Sequence, residues 1–423
     1  MKRRVYLKLF PKQTKFVYSE ALETLFLGGV GSGKTHAGGV RTLLMALRFP
    51  DEPGLIVANT YAQLRHSTLP PFFKVLELIG LDYHWSESKK EIAIYAGKKI
   101  IVRTYSLDKP GRVRGQTVPW IWVDEARDMS LDSYEELLKR CRGEREYLPI
   151  SITTSPPELP HWLFDLFEGK CDGVNKFMIR VKTKENLFLS KTYVDRLTST
   201  LSADKAAQEL MAEWGIRGEK TFPYWGNDNI TDYVYNETLP VFVTIDFGYR
   251  RPAIIVTQVP TFDLYEPEIN IVDAWLPENK TTSDICYWLE KYKGKIAEFF
   301  GDPAGDSVNE MTHFTAVEEI KNKFPGVRFR YPTTPKQRSK PNGTEVLRRL
   351  ILNAKGYRSL RISRDLVNKK PGEYTSVYMA LKNLVYPKLE TGRLDEKYFK
   401  DGTNDHPVDA LRYQMVMQFY REN

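Results

Sequence analysis

Residues 28–35 read GGVGSGKT and fit the phosphate-binding pattern G-x-x-x-x-G-K-[ST]. Its glycines allow a curled backbone whose N–H groups point at phosphate oxygens. The lysine would reach the β- and γ-phosphates of ATP, and the following threonine hydroxyl would ligate Mg²⁺. A glycine-rich turn with a chance Lys-Thr pair is the alternative. The residues that we predict to bind ATP are Gly28, Gly31, Ser32, Gly33, Lys34 and Thr35.

A pair of acids ends the apolar stretch 120–125, which reads WIWVDE. In P-loop ATPases an acid at such a strand end holds Mg²⁺ and a neighbouring group orients the attacking water. We therefore predict that Asp124 supports Mg²⁺ and that Glu125 polarises water as a general base. An ordinary strand end is the alternative, but the preceding phosphate loop favours an ATP site.

Two polar residues could complete that site. Gln13 lies in LFPKQTKF (9–16) and could pair with an adenine edge, or it is an ordinary surface glutamine at a helix start. Thr154 ends the apolar run 150–154 before Pro156 and could sense the γ-phosphate. A strand that is merely stopped by prolines is the alternative for Thr154.

Phosphoryl transfer also calls for an arginine, because charge spreads over the γ-phosphate oxygens. We choose Arg114 in the loop GRVRG (111–115), with Arg112 as its substitute. A solvated basic loop or a DNA contact is the alternative. Arg65 is a weaker candidate.

Three widely spaced acids predict a second chemistry. Asp246 closes the apolar run 241–246, Asp302 follows another at 296–301, and Asp409 lies in NDHPVDALRY (404–413). A buried acid is costly unless a partner or a metal compensates its charge. Convergent carboxylates could hold two Mg²⁺ or Mn²⁺ ions for phosphodiester cleavage. Each acid alone could be a strand-end or cap residue, and His406 could adjust the site or belong to a helix start.

A basic loop between the second and third acids reads TTPKQRSKPNG (333–343). Lys336, Arg338 and Lys340 could follow a phosphate backbone without reading bases. A solvated basic loop is the alternative. Arg348 and Arg349 follow on a predicted helix.

The elements that must position these residues change character along the chain. Apolar runs that read as strands, at 25–27, 55–58, 100–105, 120–123 and 150–154, alternate with helical patterns, which indicates a mostly parallel sheet flanked by helices. Residues 189–214 favour helix, and 215–238 read as a linker. Residues 241–249 and 253–257 then predict a hairpin, and 269–275 a third strand. We predict an α/β protein with domains at 1–180, 181–237 (a helical linker subdomain) and 238–423.

Length and composition fit this organisation. A chain of 423 residues is too long for one core, and 42% hydrophobic residues indicate globular domains. The net charge of +8 suits a polyanionic partner. Three scattered cysteines make a disulfide framework or zinc site unexpected, and a reducing cytoplasm fits. We expect neither a signal peptide nor a membrane helix.

Taken in order, these motifs resemble the large terminase subunit of tailed bacteriophages over nearly the whole chain. The resemblance implies a P-loop (ASCE-type) ATPase followed by a ribonuclease-H-like nuclease. It assigns Gln13 to adenine binding, Thr154 to coupling, and Arg114 to an arginine that acts on a neighbouring subunit. It also matches Asp246, Asp302 and Asp409 to nuclease metal ligands, with His406 beside them.

Such a protein would use ATP hydrolysis to drive double-stranded viral DNA into a procapsid and would cut the concatemeric genome at both ends of packaging. The implied partners are the portal, the small terminase subunit and copies of the chain in a ring, expected to be pentameric. The chain would act in the host cytoplasm, transiently on the procapsid and outside the mature virion. Docking through a long basic C-terminal tail is not expected, because the final helix is followed at once by residues 418–423.

Two other classes compete with this interpretation. A cellular P-loop helicase–nuclease of DNA repair or recombination would separate strands as an isolated protein. A structural DNA-binding protein with degenerate sites would lack at least one ligand, and each predicted ligand is present in the sequence.

Overall fold

A computed structural model describes residues 7–107, 115, 117–215, 218–248, 250–263, 265–302, 315–389 and 394–420. Contacts divide the chain into two compact units. The first contains Met1–Asp195 and Asp204–Ile216, and the second contains Arg196–Ala203 and Arg217–Asn423. Residues 181–237 thus contribute to both units, and the division at 180 and 237 stays a prediction.

Elements up to residue 209 alternate between helix and strand. The helices are α1 (Pro11–Val17), α2 (Lys34–Arg48), α3 (Tyr61–Gln63), α4 (Leu69–Ile79), α5 (Leu131–Arg140), α6 (Trp162–Phe167), α7 (Lys191–Thr200) and α8 (Ala203–Glu209). The strands are β1 (Glu23–Gly28), β2 (Gly54–Ala58), β3 (Asp82–Ser86), β4 (Glu91–Tyr95), β5 (Lys99–Ser106), β6 (Ile121–Asp124), β7 (Ile150–Thr154) and β8 (Lys176–Val181). A π-helical turn (Leu64–Thr68) joins α3 to α4, and 3₁₀ turns cover Ala126–Asp128 and Thr183–Glu185.

The first unit is built on one eight-stranded sheet in the order β3-β4-β5-β2-β6-β7-β1-β8. The strands from β5 to β8 in this order pair in parallel, and β3 and β4 add an antiparallel edge. The parallel strands β2, β6 and β7 are buried along their whole length, as expected when helices cover both faces. Strand β7 lies between β1 and β6, so its tip reaches both the phosphate loop and the paired acids.

The second unit has seven described strands, and its helices follow the first four of them along the chain. Its strands are β9 (Ile230–Thr231), β10 (Val241–Asp246), β11 (Ala253–Thr261), β12 (Glu268–Trp275), β13 (Ile296–Gly301), β14 (Arg328–Arg330) and β15 (Leu360–Ser363). Its helices are α9 (Thr282–Leu289), α10 (Ala316–Lys323), α11 (Pro335–Arg338), α12 (Lys340–Ile351), α13 (Val377–Asn383) and α14 (Asp405–Phe419). Short 3₁₀ turns cover Asn227–Asn229, Glu290–Tyr292 and Arg364–Leu366.

The sheet of the second unit runs in the order β14-β13-β10-β11-β12-β15-β9. Strands β10, β11 and β12 form the predicted antiparallel meander. Strand β13 pairs in parallel with β10, so Asp246 and Asp302 lie at neighbouring strand ends. The stretch 215–238, predicted as a linker, supplies β9 to this sheet and buries Phe222 and Trp225 in the core.

Helix α14 packs across β10, β11 and β13 and is buried along most of its length. The hydroxyl of Thr244 in β10 donates to the carbonyl of Ala410, and Gln414 bonds to Thr257. This helix begins at Asp405, and Asn404 precedes it. Within the described ranges no helix has the length and apolarity needed to cross a membrane.

Candidate functional site

The phosphate loop of the first unit leads from β1 into α2. Gly31 and Gly33 have φ of +72° and +77°, in the left-handed region that favours glycine. The Ser32 hydroxyl is buried and has no hydrogen-bond partner among the described residues, so it is available to an incoming group. The Lys34 ammonium lies 2.8 Å from a carboxylate oxygen of Glu125. The loop, the spare hydroxyl and the cation fit a nucleotide phosphate.

Asp124, at the end of β6, is held by two hydroxyls. Thr153 donates to one carboxylate oxygen at 2.7 Å, and Thr68 of the π-helical turn donates to the other at 2.9 Å. Burial, and then the adjacent Glu125 charge, raise the pKa of Asp124 to about 6. The two hydrogen-bond donors to this carboxylate are neutral hydroxyls, which suits a divalent metal on the nucleotide.

Glu125 has a left-handed backbone, with φ of +52°. This conformation is costly for a non-glycine residue, which keeps it only where the surroundings enforce it. The Asn59 amide donates to the Glu125 carbonyl at 2.7 Å, and the Glu125 N–H donates to the Thr153 carbonyl at 2.7 Å. These bonds direct the Glu125 side chain towards Lys34.

Other predicted residues of the ATP site have different surroundings. The Gln13 amide accepts from Phe10 N–H at 3.3 Å and donates to the Gly33 carbonyl at 3.0 Å, so it braces the loop in this structure. Its role in adenine binding stays a prediction. Thr35 lies half-buried in the first turn of α2, where its role towards Mg²⁺ likewise stays a prediction.

Thr154 and the arginine candidates also stay predictions. The Thr154 hydroxyl accepts from the N–H of Arg127 at 2.9 Å, whereas its neighbour Thr153 contacts Asp124. Arg65 lies 3.5 Å from Glu87 and is half exposed. Arg114 and its substitute Arg112 lie outside the described residues.

Residues that the sequence motifs did not single out brace the loop from its other side. Thr183 donates to the Val30 carbonyl at 2.7 Å, and Asn186 donates to the Gly31 carbonyl at 2.6 Å. The Glu209 carbonyl accepts from Val30 N–H at 2.6 Å, and its carboxylate lies 3.3 Å from Arg127. No local pattern marks these residues, because they meet the loop only through the fold.

The second unit brings two of the three predicted acids to one hydroxyl. The Tyr413 hydroxyl lies 3.3 Å from Asp246 Oδ1 and 3.1 Å from Asp302 Oδ2, and its single proton can be donated to either carboxylate. His406 Nδ1 lies 2.8 Å from the other oxygen of Asp246. Burial, with the charges of Asp409 and Asp302, raises the pKa of Asp246 to about 6, although His406 opposes the shift. The same hydrogen bond raises the pKa of His406.

Asp409, the third acid, is already balanced by internal cations. One oxygen accepts from Arg412 Nε at 2.9 Å and from the Tyr398 hydroxyl, and the other lies 3.4 Å from Lys340 Nζ. Burial alone would raise the pKa of Asp409, but Arg412 and Lys340 outweigh it and lower the value.

Oxygen donors at Asp246 and Asp302 are of the type that Mg²⁺ and Mn²⁺ prefer, and the burial of Asp246 favours a counter-cation. These two residues fit a divalent ion. Among the described residues, however, no group of three or more His, Cys, Asp or Glu is arranged to hold a metal. The assignment of Asp409 as a third ligand therefore stays a prediction.

The predicted DNA-binding loop forms α11 and the start of α12. Arg338 Nε donates to the Pro332 carbonyl at 3.2 Å, and Lys340 faces Asp409. Arg338 and Lys340 line a groove of about 890 Å³, whereas Lys336 lies on the same short helix as Arg338. DNA binding by these three residues stays a prediction. Arg348 and Arg349 donate to backbone carbonyls, which indicates a structural role.

Comparisons with known proteins agree with this arrangement of motifs. A family model described as "Terminase large subunit, T4likevirus-type, N-terminal" matches residues 25–225. The chain is 21% identical to the PBSX phage terminase large subunit of Bacillus subtilis (strain 168), over 92% of this chain and 89% of that protein. In both comparisons the chain is similar to terminase large subunits. The predicted resemblance is thereby confirmed.

Solved structures of large terminases share its fold. The large terminase of a thermophilic bacteriophage superposes with a TM-score of 0.54 at 15% identity, covering 96% of this chain and 98% of that one. The same phage protein in complex with ATP-gamma-S gives a TM-score of 0.53 at 16% identity, with the same coverage. Together with the sheet orders above, these likenesses confirm the predicted fold class, a P-loop ATPase fold followed by a ribonuclease-H-like fold.

Proposed function

We propose that this chain is a terminase large subunit that acts as a viral DNA-packaging motor. ATP hydrolysis in the first unit would drive double-stranded DNA into a procapsid, and the second unit would cut the concatemeric genome when packaging starts and ends. The observation that carries the proposal is the presence, in one chain, of a phosphate loop facing Glu125 and of Asp246 and Asp302 beside one tyrosine hydroxyl.

The first unit supplies the groups that ATP hydrolysis needs. Loop N–H groups, Ser32 and Lys34 would hold the phosphates, and Asp124 with Thr35 would support Mg²⁺. The Lys34 ammonium lies 2.8 Å from the Glu125 carboxylate. A γ-phosphate would draw that ammonium towards itself, which would leave the Glu125 carboxylate to accept a proton from water.

The second unit supplies the groups for phosphodiester cleavage. Bound Mg²⁺ or Mn²⁺ ions would provide an activated water and stabilise the leaving oxygen. Asp246 and Asp302 would hold them, with Asp409 as a further ligand. Tyr413 keeps the first two carboxylates at fixed positions, and His406 holds one oxygen of Asp246.

The partners and place of action follow from the family. We propose viral DNA, the portal, the small terminase subunit and further copies of the chain in a pentameric ring. The basic loop with Lys336, Arg338 and Lys340 would contact the DNA backbone. The chain would work in the host cytoplasm, on the procapsid, and would be absent from the mature virion.

One experiment separates the two activities. Plasmid digestion with Mn²⁺ and ATP turnover are measured for the wild type, Glu125→Ala and Asp302→Ala. We expect Glu125→Ala to lose turnover by about 10²–10⁴-fold while still binding ATP, because the loop and Lys34 bind the phosphates. Asp302→Ala should lose cleavage and keep ATP turnover.

Two results would contradict the proposal. Cleavage retained in Asp302→Ala would remove the acids from the chemistry. Robust unwinding of duplex DNA by the isolated wild-type chain would favour a helicase–nuclease, because a packaging motor moves duplex DNA without separating its strands.

A further inference from the structure

A groove of about 890 Å³ in the second unit is lined in part by Lys340 and Tyr398, which both contact Asp409. One wall is the basic loop, with Arg338 and Lys340, and the other is the segment 395–400. That second wall carries Lys397, Lys400 and the half-exposed ring of Phe399, together with the acids Asp395 and Glu396, so the cations of the two walls outnumber the acids. Cations with an exposed aromatic ring are the chemistry that proteins use to hold a nucleic-acid backbone and its bases.

Lys340 connects this groove to Asp409. It is the first residue of α12, and its side chain is 17% exposed at the groove. Its ammonium lies 3.4 Å from Asp409 Oδ2 and 4.2 Å from the centre of the Tyr398 ring. The lysine therefore touches both the surface where DNA would lie and a carboxylate that would hold metal.

The two oxygens of Asp409 are held differently. Oδ1 accepts from Arg412, which is almost fully buried on the same helix, and from the Tyr398 hydroxyl. Oδ2 faces Lys340. An ammonium on a flexible four-carbon stem can leave its partner more readily than a buried guanidinium fixed by two nitrogens.

We propose that Lys340 is an internal counter-ion of Asp409 that a DNA phosphate in the groove draws away, so that DNA binding and divalent-cation binding favour each other. This proposal rests on the proposed nuclease function of the second unit.

The coupling follows from charge. Without DNA, a divalent cation at Asp409 Oδ2 meets the ammonium of Lys340, and the two positive charges repel in a poorly solvated place. With DNA, the ammonium neutralises a phosphate and the oxygen becomes available. Thermodynamic linkage then requires the divalent cation to tighten DNA binding by the same factor.

The test is a Mn²⁺ titration of the full chain by calorimetry, with and without a phosphorothioate duplex that resists cleavage. Only the part of the binding that Asp302→Ala abolishes is counted, because the ATP site can also hold Mn²⁺. The variants are Lys340→Met, Lys340→Arg and the control Lys321→Met, which removes an exposed lysine of α10.

Without DNA we expect Lys340→Met to bind Mn²⁺ at least about fivefold more tightly than the wild type. The duplex should tighten Mn²⁺ binding in the wild type, in Lys321→Met and in Lys340→Arg, which keeps the cation. It should have little further effect in Lys340→Met.

Unchanged or weaker Mn²⁺ binding in a folded Lys340→Met would overturn the inference. If that variant fails to fold, the wild type decides, because Mn²⁺ binding that the duplex does not tighten also overturns it. A different failure is that the wild type binds no more Mn²⁺ than Asp302→Ala does. It would refute the proposed nuclease function, and this inference would fall with it.

Discussion

The buried acids Asp124 and Asp409 show two ways to keep a carboxylate inside a protein. Asp124 in the first unit is held by the neutral hydroxyls of Thr153 and Thr68, and its pKa rises to about 6. Asp409 in the second unit lies against Arg412 and Lys340, and its pKa is lowered. The first acid is clamped by neutral groups, whereas the second has its counter-charge built in.

The largest change in the free energy of unfolding is expected on substitution of Asp409, the acid that lies against two cations. Asp409→Asn leaves Lys340 and Arg412 buried without their carboxylate and should destabilise the chain by about 3–5 kcal/mol. Urea unfolding, followed by hydrogen exchange in α14, measures this loss. The control Asp365→Asn changes an exposed acid of the same unit and should alter stability by less than about 0.5 kcal/mol. Equal losses of stability in Asp409→Asn and Asp365→Asn would mean that the two cations do not depend on the Asp409 carboxylate.

Substitution of Asp124 is expected to stabilise the folded chain, the opposite of the effect at Asp409. Its folded pKa of about 6 exceeds the ordinary 3.8, so its contribution to stability is full below pH 3.8 and is lost as the pH rises through about 6. In the nucleotide-free chain at pH 8, Asp124→Asn removes that cost and should stabilise folding by about 1–3 kcal/mol.

Thermal unfolding at two pH values checks this sign. The gain in Asp124→Asn should be present at pH 8 and should shrink towards pH 4, where the wild-type carboxyl is itself neutral. A variant that is less stable than the wild type at pH 8 would mean that the hydroxyl clamp already compensates the charge.

The smallest effect is expected at the two threonine hydroxyls that donate to Asp124. Thr68→Val removes one of the two hydroxyls on Asp124, and supporting partners of a metal-binding acid are worth about 10–100-fold in metal affinity. We expect the Mg²⁺ concentration for half-maximal ATP turnover to rise about tenfold, because Thr153 remains. Thr68→Ser keeps the hydroxyl and should behave as the wild type. A normal Mg²⁺ requirement in Thr68→Val would leave Thr153 as the effective partner.

The sequence predicted best what is contiguous in the chain. The phosphate loop, the acid pair and the buried strands β1, β2, β5, β6 and β7 each lie in one short run of residues, so pattern and spacing sufficed. Strands β3, β4 and β8 were missed. Strand β3 has no buried residue, and β8 buries only two of its six. Strands β3 and β8 therefore lack the continuous buried run that marks a covered strand, whereas β4 buries the short apolar run 92–94 and was missed in spite of it.

Contacts between residues that are far apart in the chain could not be predicted from the sequence. Thr153 and Thr154 are chemically alike, and only the alternation of side chains along β7 directs the first to Asp124. Thr68 reaches the same acid from a π-helical turn that no pattern announced. Lys340 was predicted to contact DNA, and nothing local indicated that its ammonium faces Asp409.

The position of α14 along the chain has a consequence for synthesis. This helix carries His406, Asp409 and Tyr413 and packs into the core of the second unit, yet it follows every other element of that unit. A ribosome makes it last, so the earlier strands of the second unit wait with an uncovered apolar face. The first unit needs nothing beyond residue 216 and can fold meanwhile. In a nascent chain the phosphate loop would thus form well before Asp246, Asp302 and Asp409 of the second unit could come together.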